Sequence, residues 1–249
     1  MKYVACIASA LLAAGASIPA HADTTTFGQF LQRAPDARLF QYLNLDSGAN
    51  KKAELRTTGT SSGNTLASIP IYYIMSVAGL PADLTGLQNA HLTVDFVSNL
   101  GVSGSGVQLF DTSTAGTISI IRDSAAAEGN NSRTNLLTVS FTNAELDASN
   151  GAGSFTFKST PTAMITYTSD FLDFTGVVTK DFSFSFSGAS PTFNALPGSS
   201  GRNTRFSGTG TFAADAVPEV STWAMMLVGF GAAGLAMRNG HRRKDLLTD

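Results

Sequence analysis

Two carboxylates come closest to forming a chemical pair in this 249-residue chain. Asp170 and Asp173 lie in the stretch Ser169-Asp-Phe-Leu-Asp-Phe174. In a regular strand, residues three apart point to opposite faces, so these carboxylates would not flank one glycosidic bond. In a bulged or turning segment they could bind calcium together with backbone oxygens. The alternative is a strand junction, with Phe171 and Phe174 packed inward. We expect the protein to bind no cofactor, and calcium at these aspartates is the one alternative. The spacing of the His, Cys, Asp and Glu residues predicts no other metal site.

Residues for nucleophilic or zinc chemistry are scarce. Between positions 23 and 216 the chain has one histidine, His91, and no cysteine. On a strand His91 would share a face with Asp95, but the two would be about 13 Å apart at about 3.3 Å per residue. No nucleophile elbow between a strand and a helix accompanies His91, and a zinc site would need more nitrogen or sulfur ligands. We therefore predict a protein that is not an enzyme, with His91 as a solvated strand residue.

An aromatic pair lies beside the two carboxylates. Tyr167 and Phe171 are four positions apart in the sequence. If both rings were exposed next to a calcium site, they would favour a carbohydrate-binding module over a purely structural protein. Tyr167 and Phe171 are therefore the predicted ligand-contacting residues, together with Asp170 and Asp173.

The elements that must position these residues are predicted to be strands. Apolar residues alternate with polar ones in short segments, and Gly, Asn, Asp, Ser and Pro separate the segments, which is typical of a single all-β domain with a β-sandwich or jelly-roll arrangement. Strands are predicted at 39–44, 53–58, 69–77, 90–98, 107–110, 117–122, 135–141, 153–158, 163–174, 180–188 and 204–212.

Two of these strands indicate how the core is built. In 180–188 the side chains of Phe182, Phe184 and Phe186 fall on one face. A Phe stripe of this kind could stack on sugars, but it is far more often core. In 69–77 both alternating sets are largely apolar, which predicts a central strand.

Helical signals are short. A Thr26-x-x-Gln29 capping box and the helical spacing of Phe27, Phe30 and Leu31 predict a two-turn helix near the start of the domain. A helical turn is also predicted at 81–87.

The N-terminus has the features of a secretory signal peptide over residues 1–22. Lys2 precedes an apolar run, and Ala20 and Ala22 supply the small residues that signal peptidase reads, so cleavage is expected before Asp23.

The C-terminal region contains an uncharged run from Trp223 to Met237, followed by a basic cluster. A helix of this length is about 22 Å long, shorter than the roughly 30 Å hydrocarbon core of a bilayer. The basic residues predict that its C-terminal end stays in the cytoplasm. These features favour a transient membrane segment over a permanent anchor.

This region resembles the PEP-CTERM sorting signal, in the variant with Trp-Ala after the triplet. The resemblance is carried by Pro218, Glu219, Val220, Trp223, Ala224, Gly229, Gly231, Arg242 and Arg243. It implies a Gram-negative protein whose tail is recognised in the inner membrane by an exosortase and removed near the triplet. The precursor would be anchored in the inner membrane, and the processed protein would then be released to the cell surface or extracellular matrix. Val220 stands where the signal usually has proline.

The predicted organisation is a signal peptide at 1–22, an all-β passenger domain at 23–216, a sorting segment at 217–244 and a tail at 245–249. Residues 23–217 contain 15 acidic and 11 basic residues, a net charge of −4, which argues against nucleic acid as a partner. The expected partners are signal peptidase and exosortase, the inner membrane transiently, and extracellular polysaccharide. We expect a structural or adhesive protein; a carbohydrate-binding module is the alternative, and a glycoside-active enzyme is the least favoured.

Overall fold

A computed structural model describes residues 24–45, 52–78, 80, 82–99, 102–103, 107–109, 116–124, 133–149, 151–193 and 203–215. The predicted signal-peptide residues Ala20, Ala22 and Asp23 lie outside the described residues, and so does the whole predicted sorting segment 217–244. Within the described ranges, no helix is long and apolar enough to cross a membrane.

Most of the described residues lie in strands and almost none in helices, which confirms the all-β prediction. Fourteen strands form one antiparallel sheet. They are β1 Thr24–Gln32, β2 Phe40–Asn44, β3 Ala53–Thr57, β4 Ile69–Met75, β5 Leu87–Ser98, β6 Val102–Ser103, β7 Val107–Leu109, β8 Gly116–Arg122, β9 Asn135–Phe141, β10 Ala144–Asp147, β11 Phe155–Ser159, β12 Ile165–Thr168, β13 Lys180–Ser190 and β14 Thr204–Asp215. Two short 3-10 helices cover Pro35–Ala37 and Ala82–Leu84, and the second confirms the helical turn predicted at 81–87.

The sheet folds onto itself around two long strands. One edge of β5 pairs with β8, while its other edge pairs first with β4 and then with β3. In the same way β14 pairs with β13 on one edge, and with β1 and β2 on the other. The pairs β1–β4 and β2–β3 therefore bridge the half-sheet β12-β9-β8-β5 to the half-sheet β14-β13-β11-β10-β7-β6.

Aromatic rings from the two half-sheets meet in a sandwich-like core. The rings of Phe96 on β5 and Phe157 on β11 stack with their centroids 4.4 Å apart. Phe141 on β9 meets Phe182 on β13 at 4.7 Å. Facing contacts of this kind require the two half-sheets to lie one over the other.

The Phe stripe of β13 belongs to this core, as the alternation predicts. Phe182, Phe184 and Phe186 are at most 2% exposed, so they are not a surface platform for sugars. A glycine on β14 makes room for them, since a Cβ at Gly210 would overlap the rings of Phe30 and Phe184.

The predicted N-terminal helix is wrong, because residues 24–32 form strand β1. The cause is a β-bulge. The register with β14 shifts between Thr26 and Gly28, which leaves Phe27 as an extra residue on β1. Phe27 and Phe30 are both buried although they are three positions apart. A bulged strand therefore reproduces the three-residue apolar spacing from which a helix was predicted.

Some of the observed strand boundaries differ from the predicted ones. The predicted strand 163–174 is only β12, Ile165–Thr168, because the chain turns after Thr168. Strand β10, Ala144–Asp147, was not predicted. Strand β4 is an interior strand as expected, with β1 on one edge and β5 on the other.

Candidate functional site

A cleft of about 360 Å³ opens beside β12, the strand at one end of the sheet order. Its walls come from β12, from the turns that follow, and from the first residue of β13. Its lining includes Thr166, Tyr167, Thr168, Asp173, Phe174 and Lys180. The volume lies at the lower end of the range for small-molecule sites.

Side-chain hydrogen bonds shape the turns that close the cleft. The Ser169 Oγ accepts hydrogen bonds from the N–H groups of Phe171 and Leu172, at 3.0 and 3.3 Å, and so ends β12. The Asp173 Oδ1 accepts the N–H of Thr175 at 2.8 Å. Gly176 follows with a φ of 84°, a left-handed conformation that glycine adopts without strain. Ser, Asp and Gly are residues that favour turns for these reasons.

The cleft wall carries one charge of each sign. Hydrogen bonds from the side chain and then the backbone of Thr175 hold the pKa of the Asp173 carboxyl below its usual range, so it is ionised at neutral pH. The carboxylate has acceptor sites beyond those that Thr175 occupies. Lys180 donates from Nζ to the carbonyl of Val177 and has further donors for a ligand. The wall can therefore both accept hydrogen bonds from a ligand and donate to it.

The predicted aromatic pair is not an exposed pair. Tyr167 is only 3% exposed, its hydroxyl donates to the carbonyl of Asp181, and burial raises its pKa. Phe171 is covered on one face by the guanidinium of Arg133, 4.9 Å from the ring centroid. The aromatic wall of the cleft includes the half-buried ring of Phe174 instead, which packs 5.3 Å from the Tyr167 ring.

Asp170 and Asp173 are held in separate turns. The Asp170 Oδ2 accepts the N–H groups of Thr134 and Asn135, each at 2.9 Å, and fixes the turn to the start of β9. Asp173 instead caps the N–H of Thr175. The arrangement matches the strand-junction alternative. In the described part of the chain, no group of three or more His, Cys, Asp or Glu residues could hold a metal ion. Calcium at these aspartates stays a prediction.

His91 has a carboxylate partner that was not predicted. Its Nδ1 lies 2.7 Å from the Asp123 Oδ1, and the Arg33 guanidinium lies 2.5 Å from the Oδ2 of the same side chain. Partial burial would raise the pKa of Asp123, but the hydrogen bond and charge of Arg33, followed by those of His91, hold it below its usual range. The His91 side chain is 46% exposed. This partly exposed ion-pair cluster is a surface feature of the sheet, as expected for His91.

Comparisons of the chain with protein-family models, with curated proteins and with solved structures found no match. The site must therefore be interpreted from its own chemistry. A cleft with hydroxyl groups, an aromatic ring, a carboxylate and an ammonium group can bind a small polar ligand that has apolar faces. Lys180, Thr166 and Thr168 were missed in the sequence because nothing local marks them as neighbours of Asp173.

Proposed function

We propose that the chain is an exported protein of the Gram-negative cell surface or exopolysaccharide matrix, with a structural or adhesive role. In this proposal its C-terminal segment directs sorting through the inner membrane and is then removed by an exosortase. The β-rich domain, which we assign to the jelly-roll-like sandwiches, is the part that remains.

The C-terminal sequence carries this proposal. Pro218-Glu219 is followed by Trp223-Ala224, by an uncharged run to Met237 and by the basic residues Arg242 and Arg243. The described strands run from Thr24 to Asp215. Thr24 and Asp215 are paired with each other in the β1–β14 ladder. The described strand pairings all lie between these two residues, so they are compatible with processing at both ends.

The test is mass spectrometry of the protein from its native host, with and without the exosortase. We expect the mature form to begin at Asp23 in both hosts. It should lack the run from Trp223 to Lys244 only in the host that has the exosortase. A variant with both Pro218→Ala and Glu219→Ala should retain the tail. Asp249→Asn, which lies beyond the predicted sorting segment, is the control and should be processed as the unaltered chain is. A mature form that keeps the tail in the unaltered host would overturn the sorting proposal and leave a membrane anchor in its place.

A second candidate function is carbohydrate binding, which the cleft beside β12 favours. Sugars combine hydroxyl groups with apolar C–H faces, and the cleft offers both polar partners and the ring of Phe174. The test is a glycan array probed with the full chain and with Lys180→Met. Lys158→Met is the matched control, because Lys158 lies on β11 and is not part of the cleft wall. Binding that Lys180→Met leaves unchanged would remove the cleft from this proposal.

A glycoside-active enzyme is the least supported function. Asp170 and Asp173 each cap backbone N–H groups in separate turns, and only Asp173 of the two lines the cleft. Loss of polysaccharide turnover in Asp170→Asn or Asp173→Asn would be needed to revive it.

A further inference from the structure

Two rows of hydroxyl groups extend from the cleft across the outer surface of the sheet. Thr166 pairs with Ser140 on β9, which pairs with Thr117 on β8. Two residues along each strand, Thr168 pairs with Thr138, which pairs with Ser119. We call these six residues the hydroxyl face.

The alternation of the strands keeps the hydroxyl face on the outside. The neighbours Tyr167, Val139 and Ile118 are buried in the core, so the six hydroxyl side chains point the other way. Four of the six are exposed and the other two are half-buried. None carries a charge, and the first charged position in either row is Asp95 on β5, opposite Thr117.

The hydroxyl face is continuous with the cleft. Thr166 and Thr168 both line the cleft and begin the two rows. The donors and acceptors of the cleft, which include Lys180 and Asp173, therefore lie at one end of a polar track formed by the hydroxyl face. From β12 to β8 this track is about 10 Å long, since neighbouring strands are about 4.8 Å apart.

We propose that the cleft and the hydroxyl face together bind a neutral polysaccharide chain in an extended, ribbon-like conformation. One sugar unit occupies the cleft, and the following units cross β9 and β8. The spacing between strands is close to the length of one unit in a β-1,4-linked hexose chain, so each strand can offer its hydroxyl groups to one unit. A coiled, α-linked chain cannot keep this register.

The charge of the surface favours a neutral ligand over an acidic one. Lys180 is balanced by Asp173 in the cleft wall, and the hydroxyl face itself has no cation that would attract a uronate polymer. Hydrogen bonds between hydroxyl groups resist salt, whereas attraction between exposed charges is screened. Binding should therefore change little between low and high salt.

This inference rests on the carbohydrate-binding proposal and extends it from one sugar unit to a chain. The experiment is calorimetric titration of the full chain with two series of oligosaccharides. They are β-1,4-linked glucose and β-1,4-linked N-acetylglucosamine, each from one to four units. We expect the affinity for one of the series to rise with each added unit up to three.

Matched variants separate the cleft from the hydroxyl face. Ser140→Ala with Thr117→Val removes two exposed hydroxyls that lie side by side in one cross-strand pair of β9 and β8. It should lower the affinity for the three-unit ligand about tenfold, the size of about one net hydrogen bond, and leave the one-unit affinity unchanged. Lys180→Met should weaken both.

The control uses an equivalent pair on the other half-sheet. Ser185 on β13 and Thr209 on β14 are also exposed and directly opposite each other, but the row continues to Leu31 on β1 and not to the cleft. Ser185→Ala with Thr209→Val should bind all ligands as the unaltered chain does. Thermal unfolding of each variant checks that the sheet remains folded.

The outcomes distinguish the two proposals. If neither series binds the unaltered chain, carbohydrate binding at the cleft fails and this inference fails with it. If ligands bind and Lys180→Met weakens them, but affinity does not depend on chain length, only the role of the hydroxyl face is overturned. Equal losses in the Ser140–Thr117 and Ser185–Thr209 variants would also overturn it. Binding of an acidic oligosaccharide that salt abolishes would overturn the neutral-chain assignment.

Discussion

Replacement of Tyr73 by phenylalanine should stabilise the protein. Tyr73 lies on β4 and is fully buried, and its hydroxyl has no hydrogen-bond partner among the described residues. The hydroxyl occupies the space above Gly28, where a Cβ would collide with it. Burial without a partner also raises the pKa of this hydroxyl, so it stays neutral.

The expected change in the free energy of unfolding is the sum of two opposing effects. A buried hydroxyl that has lost its water and gained no partner costs about 1–3 kcal/mol. Its removal leaves a gap of only one oxygen atom, which at about 24 cal/mol per Å³ costs a few tenths of a kcal/mol. The contact of the ring with Phe212, at 6.4 Å between centroids, is kept. Tyr73→Phe should therefore raise the free energy of unfolding by about 1–2 kcal/mol.

The assay is urea unfolding of the full chain, followed by far-ultraviolet circular dichroism. Tyr167→Phe is the matched control, because the Tyr167 hydroxyl donates to the carbonyl of Asp181. Loss of that bond should lower the free energy of unfolding by about 0.5–1.5 kcal/mol, the opposite sign. Destabilisation by Tyr73→Phe of more than about 1 kcal/mol would refute the reasoning, since it would require a partner such as a buried water molecule.

Three further predictions concern the core and the surface cluster. Phe184→Ala should lower the free energy of unfolding by about 3–5 kcal/mol in urea titrations, because the ring is fully buried; a loss below about 1 kcal/mol would contradict its central position. Gly210→Ala should cost about 1–3 kcal/mol in the same assay, since the new methyl overlaps two rings, whereas Gly153→Ala meets open space and is the control. The lowered pKa of Asp123 means that its pairing stabilises the fold above the unfolded pKa of about 4 and is lost as pH falls through the folded value. The Asp123→Asn variant should therefore have a lower free energy of unfolding than the unaltered chain at pH 7, and this difference should shrink in acid. A difference that stays constant from pH 7 to pH 2 would show that ionisation of Asp123 does not contribute to stability.

Strands in which apolar and polar side chains alternate without interruption could be predicted from the sequence. Phe182, Phe184 and Phe186 alternate with polar residues, so their burial follows from the two-residue period of a strand. Strand β1 could not be recognised in this way because the extra residue Phe27 interrupts its alternation. A bulge is set by pairing with β14, which is almost two hundred residues away in the sequence.

The candidate site was only partly predictable for a related reason. The aspartates and Phe174 were identified as neighbours because they share one short stretch. The burial of Tyr167 could have been inferred, since the polar residues Thr166 and Thr168 flank it in strict alternation. Lys180 joins the cleft, and Asp123 joins His91, through the folding of the chain, which no local pattern contains.

The pairing of the first and last strands also determines how the domain responds to tension. Because β1 and β14 run antiparallel with Thr24 opposite Asp215, a force applied between the two ends of the domain pulls this pair apart from its open end. The hydrogen bonds of the ladder then break one after another, and the sheet unzips at low load. A force that enters through a ligand on the hydroxyl face and leaves through one end of the domain does not act across this pair in the same way. Attachment by a single end would thus keep a pulling force from acting directly between β1 and β14.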